Sequence, residues 1–465
     1  MHVSEVAARL GAALPGVDPA AVQVNGPRRF WGTALDVEGL ALGSVTLAAA
    51  ALQRLIGAPQ LWVAAERVAA SFDSARLLRV DGNGVPSFAP LSRFWPVADG
   101  WIRTHGNYPH HRVALLRALE VGDVDDHAAV PAVADALRTL TAAEAEHLIL
   151  TAGGIAAAVR PRRDWVASAA GIAAAGQEPL VVTHDDAAGP GSALRTAPRW
   201  TPQATGGPHP LAGLRVVELT RVIAGPTATR TLAALGADVI RVEPPQAPEL
   251  RSQHLDTDAG KRVLGVDLRR DAERVHALLA EAHVVVTGFR PGSLARYGLE
   301  GEALASRHPH LVRASLSAWG PGPWDHRRGF DSLVQAASGI SVQLRGEDGT
   351  PGALPVQALD HATGQLLVAG IASLLSRRAE GGAETGAEAG AAGSVAASLA
   401  ATAEALWALP LPGEPMQPLA PAGTQDWGPG EWEGPEARLS AAPAALAVDG
   451  VPARPASWWG PEPWR

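Results

Sequence analysis

Three groups of residues in this 465-residue chain have types and spacing that could do chemistry. Asp360 stands directly before an apolar-periodic stretch, which places its carboxylate at a helix start. The partial positive charge and free amides there favour an ionised carboxylate, as a nucleophile requires, and could steady a developing oxyanion. An aspartate in that place is equally an ordinary helix N-cap. Lys261 is the only lysine in a chain whose other basic residues are arginine or histidine. It is either the remainder of a bias toward arginine or a position that needs a compact ammonium. His105, His110 and His111 cluster, but no carboxylate lies at useful spacing and cysteine is absent, so no metal is expected and a loop is the simpler reading.

The totals narrow what these residues could serve. The length allows two or three domains, and 47% hydrophobic with 18% charged residues is enough to build sizeable cores. A net charge of −8 gives no basic footprint for nucleic acid. With no cysteine, disulfides, zinc thiolates and a thiol nucleophile are excluded. The first residues carry an early Glu5 and no cationic run ahead of an apolar core, unlike a signal peptide. The apolar stretch 40–56 is interrupted by Gln53 and Arg54 and reads as too short for a bilayer, so a soluble cytoplasmic protein is expected. No G-x-G-x-x-G follows the valine-rich run 214–219, Gly260-Lys261 lacks the upstream glycine of a P-loop, and G-x-S-x-G is absent.

The elements that must position the candidates can be read from period and punctuation. Residues 214–219 (LRVVEL) form a strand buried on both faces, 227–235 a helix entered at Gly225-Pro226, and 239–242 a second strand. Further strands are expected at 260–268, 284–287 and 311–317, with a helix at 271–282. This alternation implies an α/β fold with a doubly wound, parallel, Rossmann-like sheet. The first 60 residues are Ala- and Leu-rich and read as helical. The stretch 77–104 reads as hairpins turning at Asp81-Gly82 and Asp99-Gly100. Helices are expected at 110–119 and 130–151, the second with Glu144 and Glu146 on a polar face. Linkers fall at 183–207 and 380–393, a last strand and helix at 394–409. The Pro-, Gly- and Trp-rich tail 411–465 carries Trp427, Trp432, Trp458, Trp459 and Trp464, which point to docking on a surface.

The motifs also carry a resemblance. LAGLRVVELTRVIAGP followed by LGADVIRVEPP, then GKRVLGVDL, GFRPGSLARYGL, GFDSLVQAASGI and PVQALDHATGQLLVAGIASLLSRR, stand in the order of the family III (CaiB/BaiF) CoA-transferases. That group includes formyl-CoA transferase, carnitine-CoA transferase and α-methylacyl-CoA racemase. In this family the first motif opens the chain, whereas here it begins at residue 211. DGWIRTHGNYPHHRVALLRAL and TAAEAEHLILTAGGIAAAVRPRRDW resemble the family's smaller α+β domain, here placed first. The order of the halves is swapped, either by circular permutation or by fusion of a truncated first copy to a second. The resulting division is 1–205 small-domain-like, 206–410 large Rossmann-like, and 411–465 extension.

The resemblance implies a function. The aspartate at the position of Asp360 attacks an acyl-CoA thioester, passes through an aspartyl-CoA thioester, and hands CoA to a carboxylate. Coenzyme A and acyl-CoA are substrates, with no permanently bound cofactor. Lys261, Arg262, Phe289, Arg290, Gly292 and Arg296, with Gly225 and Pro226 at a tight turn, are the matching CoA-binding positions, and a homodimer is implied. Phe330 occupies the place of a racemase histidine, which disfavours two-base racemisation. Ile223 stands where formyl-CoA transferases present a glutamine, so a less polar acyl group is expected. The alternatives are an acyl-CoA racemase or epimerase using Asp360 with His361 or a histidine from 105–111, and an inactive acyl-CoA-binding homologue.

Overall fold

Valine-rich runs too short for helices assemble into a sheet of seven strands in this computed structural model, which describes residues 1–57, 61–185, 198, 200–202, 209–385, 393–419, 430–433 and 438–448. The spatial order is Lys261–Gly265, Asp238–Glu243, Arg215–Leu219, Val284–Thr287, Val312–Ser317, Gly393–Ser398, Leu180–His184. The first six run parallel, and Leu180–His184 closes the edge antiparallel. Because side chains alternate along a strand, Val216, Val239 and Val284 join one buried cluster and Val217, Ile240 and Val285 another. Both faces are therefore covered, as parallel sheets require. The chain moves outward in opposite directions from the neighbours Arg215–Leu219 and Val284–Thr287, which leaves a crevice beyond their carboxyl ends.

The helix Ala358–Thr385 is buried on all sides as far as Ser376, and it runs into the stretch read as a linker from 380. Its longest neighbour is the helix Val37–Ile56, ended by Gly57 in the left-handed region at φ 68°. By length and composition both could cross a membrane, so the stretch around 40–56 is longer than the sequence reading allowed. Both are buried inside the fold, 89% and 100% over their most apolar windows.

The first 72 residues share the sheet's own core. One cluster joins Val6, Leu40 and Leu47 to Val216, Leu366 and Val395, so the hydrophobic core has no break at residue 205. The smaller unit has a separate core under the strands Phe94–Val97, Gly100–Thr104 and Ala156–Ala158, capped by the helices Pro109–Ala118, Asp126–Arg138 and Ala142–Thr151. The single helix expected at 130–151 is thus two. Thr141 accepts the Glu144 amide and Glu144 reaches back to the Thr141 amide, a capping box that starts the second helix. Glu144 is exposed, but Glu146 is buried, accepting the Ala158 amide at 3.0 Å and pairing with Arg160 at 2.7 Å. A charged side chain this far from water needs such partners.

Part of the tail docks through its backbone. Gly430–Glu433 and Arg438–Ala441 join the hairpin Arg79–Val80/Asn83–Gly84, and Ala447–Val448 pairs with Leu61–Ala64. Trp427, Trp458, Trp459 and Trp464 lie outside the described residues.

Candidate active site

Asp360 enters the structure in the first turn of the helix Ala358–Thr385, only 6% exposed. That helix crosses the start of another, Ala224–Ala234, because Gly364 has no side chain: a Cβ there would meet the Ala224 carbonyl oxygen at 2.5 Å. The close crossing sets Asp360 against the loop after Arg215–Leu219. Together they wall a cavity of about 270 Å³, shared by Val222, Ile223, Phe330, His361 and Asp360 from the second half of the chain. Phe72, Arg76, Phe88, His105 and Asn107 come from the first half.

The electrostatics of Asp360 differ from what its helix position implies. The Asp360 amide donates to Asp331 Oδ2 at 3.0 Å, so part of the helix N-terminal potential is spent on a second carboxylate. Burial and then the Asp331 charge push the Asp360 carboxyl well above its usual range. Asp331 is itself fully buried and raised to about 6 by burial, although Gln335 and the amides of Asp360 and Leu359 donate to it. Two carboxyls this close do not both ionise readily, and the better-solvated charge falls on Asp331. The Asp360 carboxyl is therefore shifted toward its neutral form, the reverse of the expectation from the helix end alone. Sequence reasoning passed over Asp331 as a site residue, although its spacing to Gln335 fits a hydrogen-bonded pair one helical turn apart.

Of the histidines, the structure brings His105 and His361 to Asp360. His105 stacks on Phe330 with ring centroids 3.9 Å apart, and its Nδ1 has no hydrogen-bond partner among the described residues. Burial, then Arg103, lower it to about 3, so it is neutral. His361 Nδ1 lies 3.2 Å from Thr227 Oγ1, its ring stacks on Phe72 at 5.0 Å, and burial likewise lowers it to about 3. Ile223 and Phe330, singled out as departures, both face this cavity and make it apolar opposite the carboxyl.

A second cavity, about 670 Å³, opens at the carboxyl ends of Val284–Thr287, Val312–Ser317 and Gly393–Ser398. Phe289 and Arg290 line it. The two cavities share no lining residue; between the loops that lead to them, a Cβ on Gly288 would come within 3.2 Å of Thr220 Cγ2. The other expected CoA contacts lie elsewhere. Arg262 is paired with Asp238 at 2.6 Å. Arg296 is exposed over the Tyr297 ring, and Gly292 turns at φ 82° with its amide on Glu300. Gly225 serves packing, since a Cβ there would sit 2.5 Å from the Thr220 side chain. The Pro226 carbonyl accepts Lys261 Nζ at 3.1 Å.

Lys261 is the clearest correction, for it is 2% exposed and lines neither cavity. Its ammonium pairs with Glu218 at 2.9 Å and Asp258 at 3.5 Å. Arg241 extends the network to Asp258 at 2.8 Å and Glu249 at 3.0 Å, and His254 joins through Asp258 and Glu243. Burial opposes charge on His254, yet its bonds to Asp258 and Glu243 raise it to about 9. The need for a compact ammonium is real, but it is structural. Glu249 also accepts the Tyr108 hydroxyl and the Val222 amide, and so ties the loop after Gly100–Thr104 to the loop beside Asp360.

Known proteins match part of the chain. A probable fatty acyl-CoA transferase of Mycobacterium tuberculosis is 37% identical over 189 residues, 37% of this chain and 48% of that protein. The succinyl-CoA:glutarate CoA-transferase of Mus musculus is 36% identical over 188 residues, 37% and 43% of the two chains. The formyl-CoA:oxalate CoA-transferase of Streptomyces coelicolor is 32% identical over 185 residues, 37% and 45%. The chain spans less than half the length of each of these relatives. The family model described as CoA-transferase family III matches residues 211–425, the stretch that carries six of the seven sheet strands and Asp360.

Proposed function

We propose that the protein moves CoA from an acyl-CoA to a free carboxylic acid through covalent chemistry at Asp360. The observation that carries this reading is the placement of the buried Asp360 carboxyl on a cavity walled by Ile223, Phe330, Phe72 and Phe88, in a fold that has a larger cavity lined by Phe289 and Arg290. In this reading the larger cavity takes the nucleotide end of CoA, Arg290 meets a phosphate, and the pantetheine arm runs past Thr220 and Gly288 to the thioester.

Starting from the ionised form of Asp360, a carboxylate oxygen attacks the thioester carbonyl carbon and the CoA thiolate leaves, forming an acyl-aspartyl anhydride. The thiolate then attacks the Asp360 carbonyl carbon, expelling the donor acid and leaving an aspartyl-CoA thioester. The acceptor carboxylate attacks that thioester, and the returning thiolate takes the new acyl group and frees Asp360. Ile223, Phe330 and Phe88 favour an apolar acyl chain over a small polar one.

Intact-protein mass spectrometry after incubation with a panel of acyl-CoAs tests the proposal. A CoA- or acyl-sized adduct that hydroxylamine removes, absent in Asp360→Ala, is the expected result. CoA binding without any adduct points instead to a binding-only homologue. One observation favours a second reading: Asp360, its carboxyl raised by burial, and a neutral His105 whose Nδ1 has no partner among the described residues line one cavity, as a proton donor and acceptor would. Incorporation of solvent deuterium at the α-carbon of a bound acyl-CoA, without CoA exchange, identifies an epimerase.

A further inference from the structure

The strand order of two separate sheets repeats. In the first half, Val24–Asn25 pairs parallel with Leu61–Ala64, and the helix Val37–Ile56 connects them. In the second half, Val312–Ser317 pairs parallel with Gly393–Ser398, and the connection ends in the helix Ala358–Thr385. A helix follows each outer strand directly, Ala65–Phe72 and Leu399–Trp407. Each outer strand also receives an antiparallel strand from the opposite half: Ala447–Val448 on the first, Leu180–His184 on the second. The exchange is reciprocal. Sequence marks the same correspondence. Ala34-Leu35-Asp36 opens one long helix and Ala358-Leu359-Asp360 the other, Gly26-Pro27 and Gly320-Pro321 follow the inner strands, and Arg54 and Arg378 stand equally far past the two aspartates.

We propose that the chain is an internal duplication of this strand–helix–strand–helix unit, in which Asp36 is a retired counterpart of Asp360 and the first copy completes the Asp360 site within the same polypeptide. The two long helices pack on each other, and Arg54 of the first pairs with Glu380 of the second at 2.9 Å.

The copies have diverged in what surrounds the aspartate. The Asp36 carboxylate is fully buried, accepts the Gly39 amide at 2.9 Å, and accepts from Nη1 and Nη2 of Arg28, the first at 2.8 Å. It lines neither cavity described above. The connection from Gly26-Pro27 to Asp36 is too short to hold a counterpart of the helix Asp331–Ala337, so no second carboxylate accompanies it. The Asp360 carboxylate, by contrast, has no ion pair or hydrogen bond among the described residues and faces open volume. In place of a working aspartate, the first copy contributes Phe72 to that volume, and the chain that follows it adds Arg76, Phe88, His105 and Asn107.

The claim that one copy completes the other in cis is independent of catalysis, while the retirement of Asp36 rests on the proposed chemistry at Asp360. Because the sequence has no cysteine, Thr183→Cys with Ser394→Cys introduces the only two thiols, on facing positions of the exchanged strand. A short bifunctional maleimide is expected to link them within one chain, at monomer mass on a denaturing gel. Links between chains, or two thiols that do not react together, overturn the in-cis arrangement. With the full-length protein and an acyl-CoA that labels it, one adduct per chain is expected, lost in Asp360→Ala and retained in Asp36→Asn. A second adduct, or one on Asp36, overturns its retirement. If wild-type chain takes no label while the cross-link forms within one chain, the proposed chemistry fails and the duplication stands.

Discussion

Glu249 Oε2 accepts the amide of Val222 at 2.9 Å and thereby holds a β-branched residue at φ 69°, a left-handed conformation that valine seldom adopts. Such strain is worth about 1–3 kcal/mol and persists only where the surroundings enforce it. Arg221 and Arg241 keep Glu249 charged against the cost of burial, and Val222 lies on the wall facing Asp360. Glu249→Ala is expected to cost about 3–5 kcal/mol, the price of a broken buried charge network. In a Val222→Gly background the cost should shrink by about 1–2 kcal/mol, since glycine takes that φ unaided. Urea unfolding of the four variants measures the difference, and strictly additive values would separate the clamp from the strain.

Asp331→Asn removes the negative charge that helps raise Asp360. The acid limb of adduct formation should therefore move to lower pH in the variant. Rates of acyl-CoA labelling between pH 4 and 9 report the shift, and an unmoved limb would mean that burial alone sets the Asp360 proton.

Lys261→Arg should destabilise the fold by about 2–4 kcal/mol, because the site is closed and a guanidinium needs more room and different geometry. Affinity of the folded variant for CoA should stay within about twofold of wild type, measured by calorimetry. A large loss of affinity with normal stability would return Lys261 to the binding site.

Arg290→Ala should weaken CoA binding by about 10–100-fold, the worth of a hydrogen bond to a charged group. The gap to wild type should narrow in high salt, as exposed charges are screened.

His254 is raised from 6.5 to about 9 by carboxylates that overcome its burial. Its contribution to stability is complete below pH 6.5 and is lost as pH rises through 9, by up to about 3 kcal/mol. Thermal melts at pH 6.5 and 9 should show His254→Asn much less stable than wild type at the first pH and nearly level with it at the second.

The parts of this fold that sequence made legible are those governed by local period. The run 284–287 is a strand with those bounds, the strand expected at 214–219 runs Arg215–Leu219, and the helix expected after Gly225-Pro226 runs Ala224–Ala234. Thr141 and Glu144 carried a capping-box signal, yet the apolar spacing on either side masked the break between two helices. The site was half legible. Asp360, Phe289 and Arg290 could be picked out, and all three line cavities. The burial of Lys261 could not, because its partner Glu218 is distant in the chain and nothing local encodes the pairing. The upward shift of the Asp360 carboxyl was hidden for the same reason, since Asp331 reaches it only through tertiary folding.

The packing of Val37–Ile56 on Ala358–Thr385 also fixes an order of events during synthesis. The first helix leaves the ribosome about 300 residues ahead of its partner, an interval of roughly 15–60 s at ordinary translation rates. Throughout that time the face it will give to its partner, part of a segment with mean hydropathy 1.5, has nothing in the nascent chain to cover it. A chaperone that shields apolar helices is therefore expected to govern the yield of this protein more strongly than its equilibrium stability does, and slowing translation should deepen that dependence.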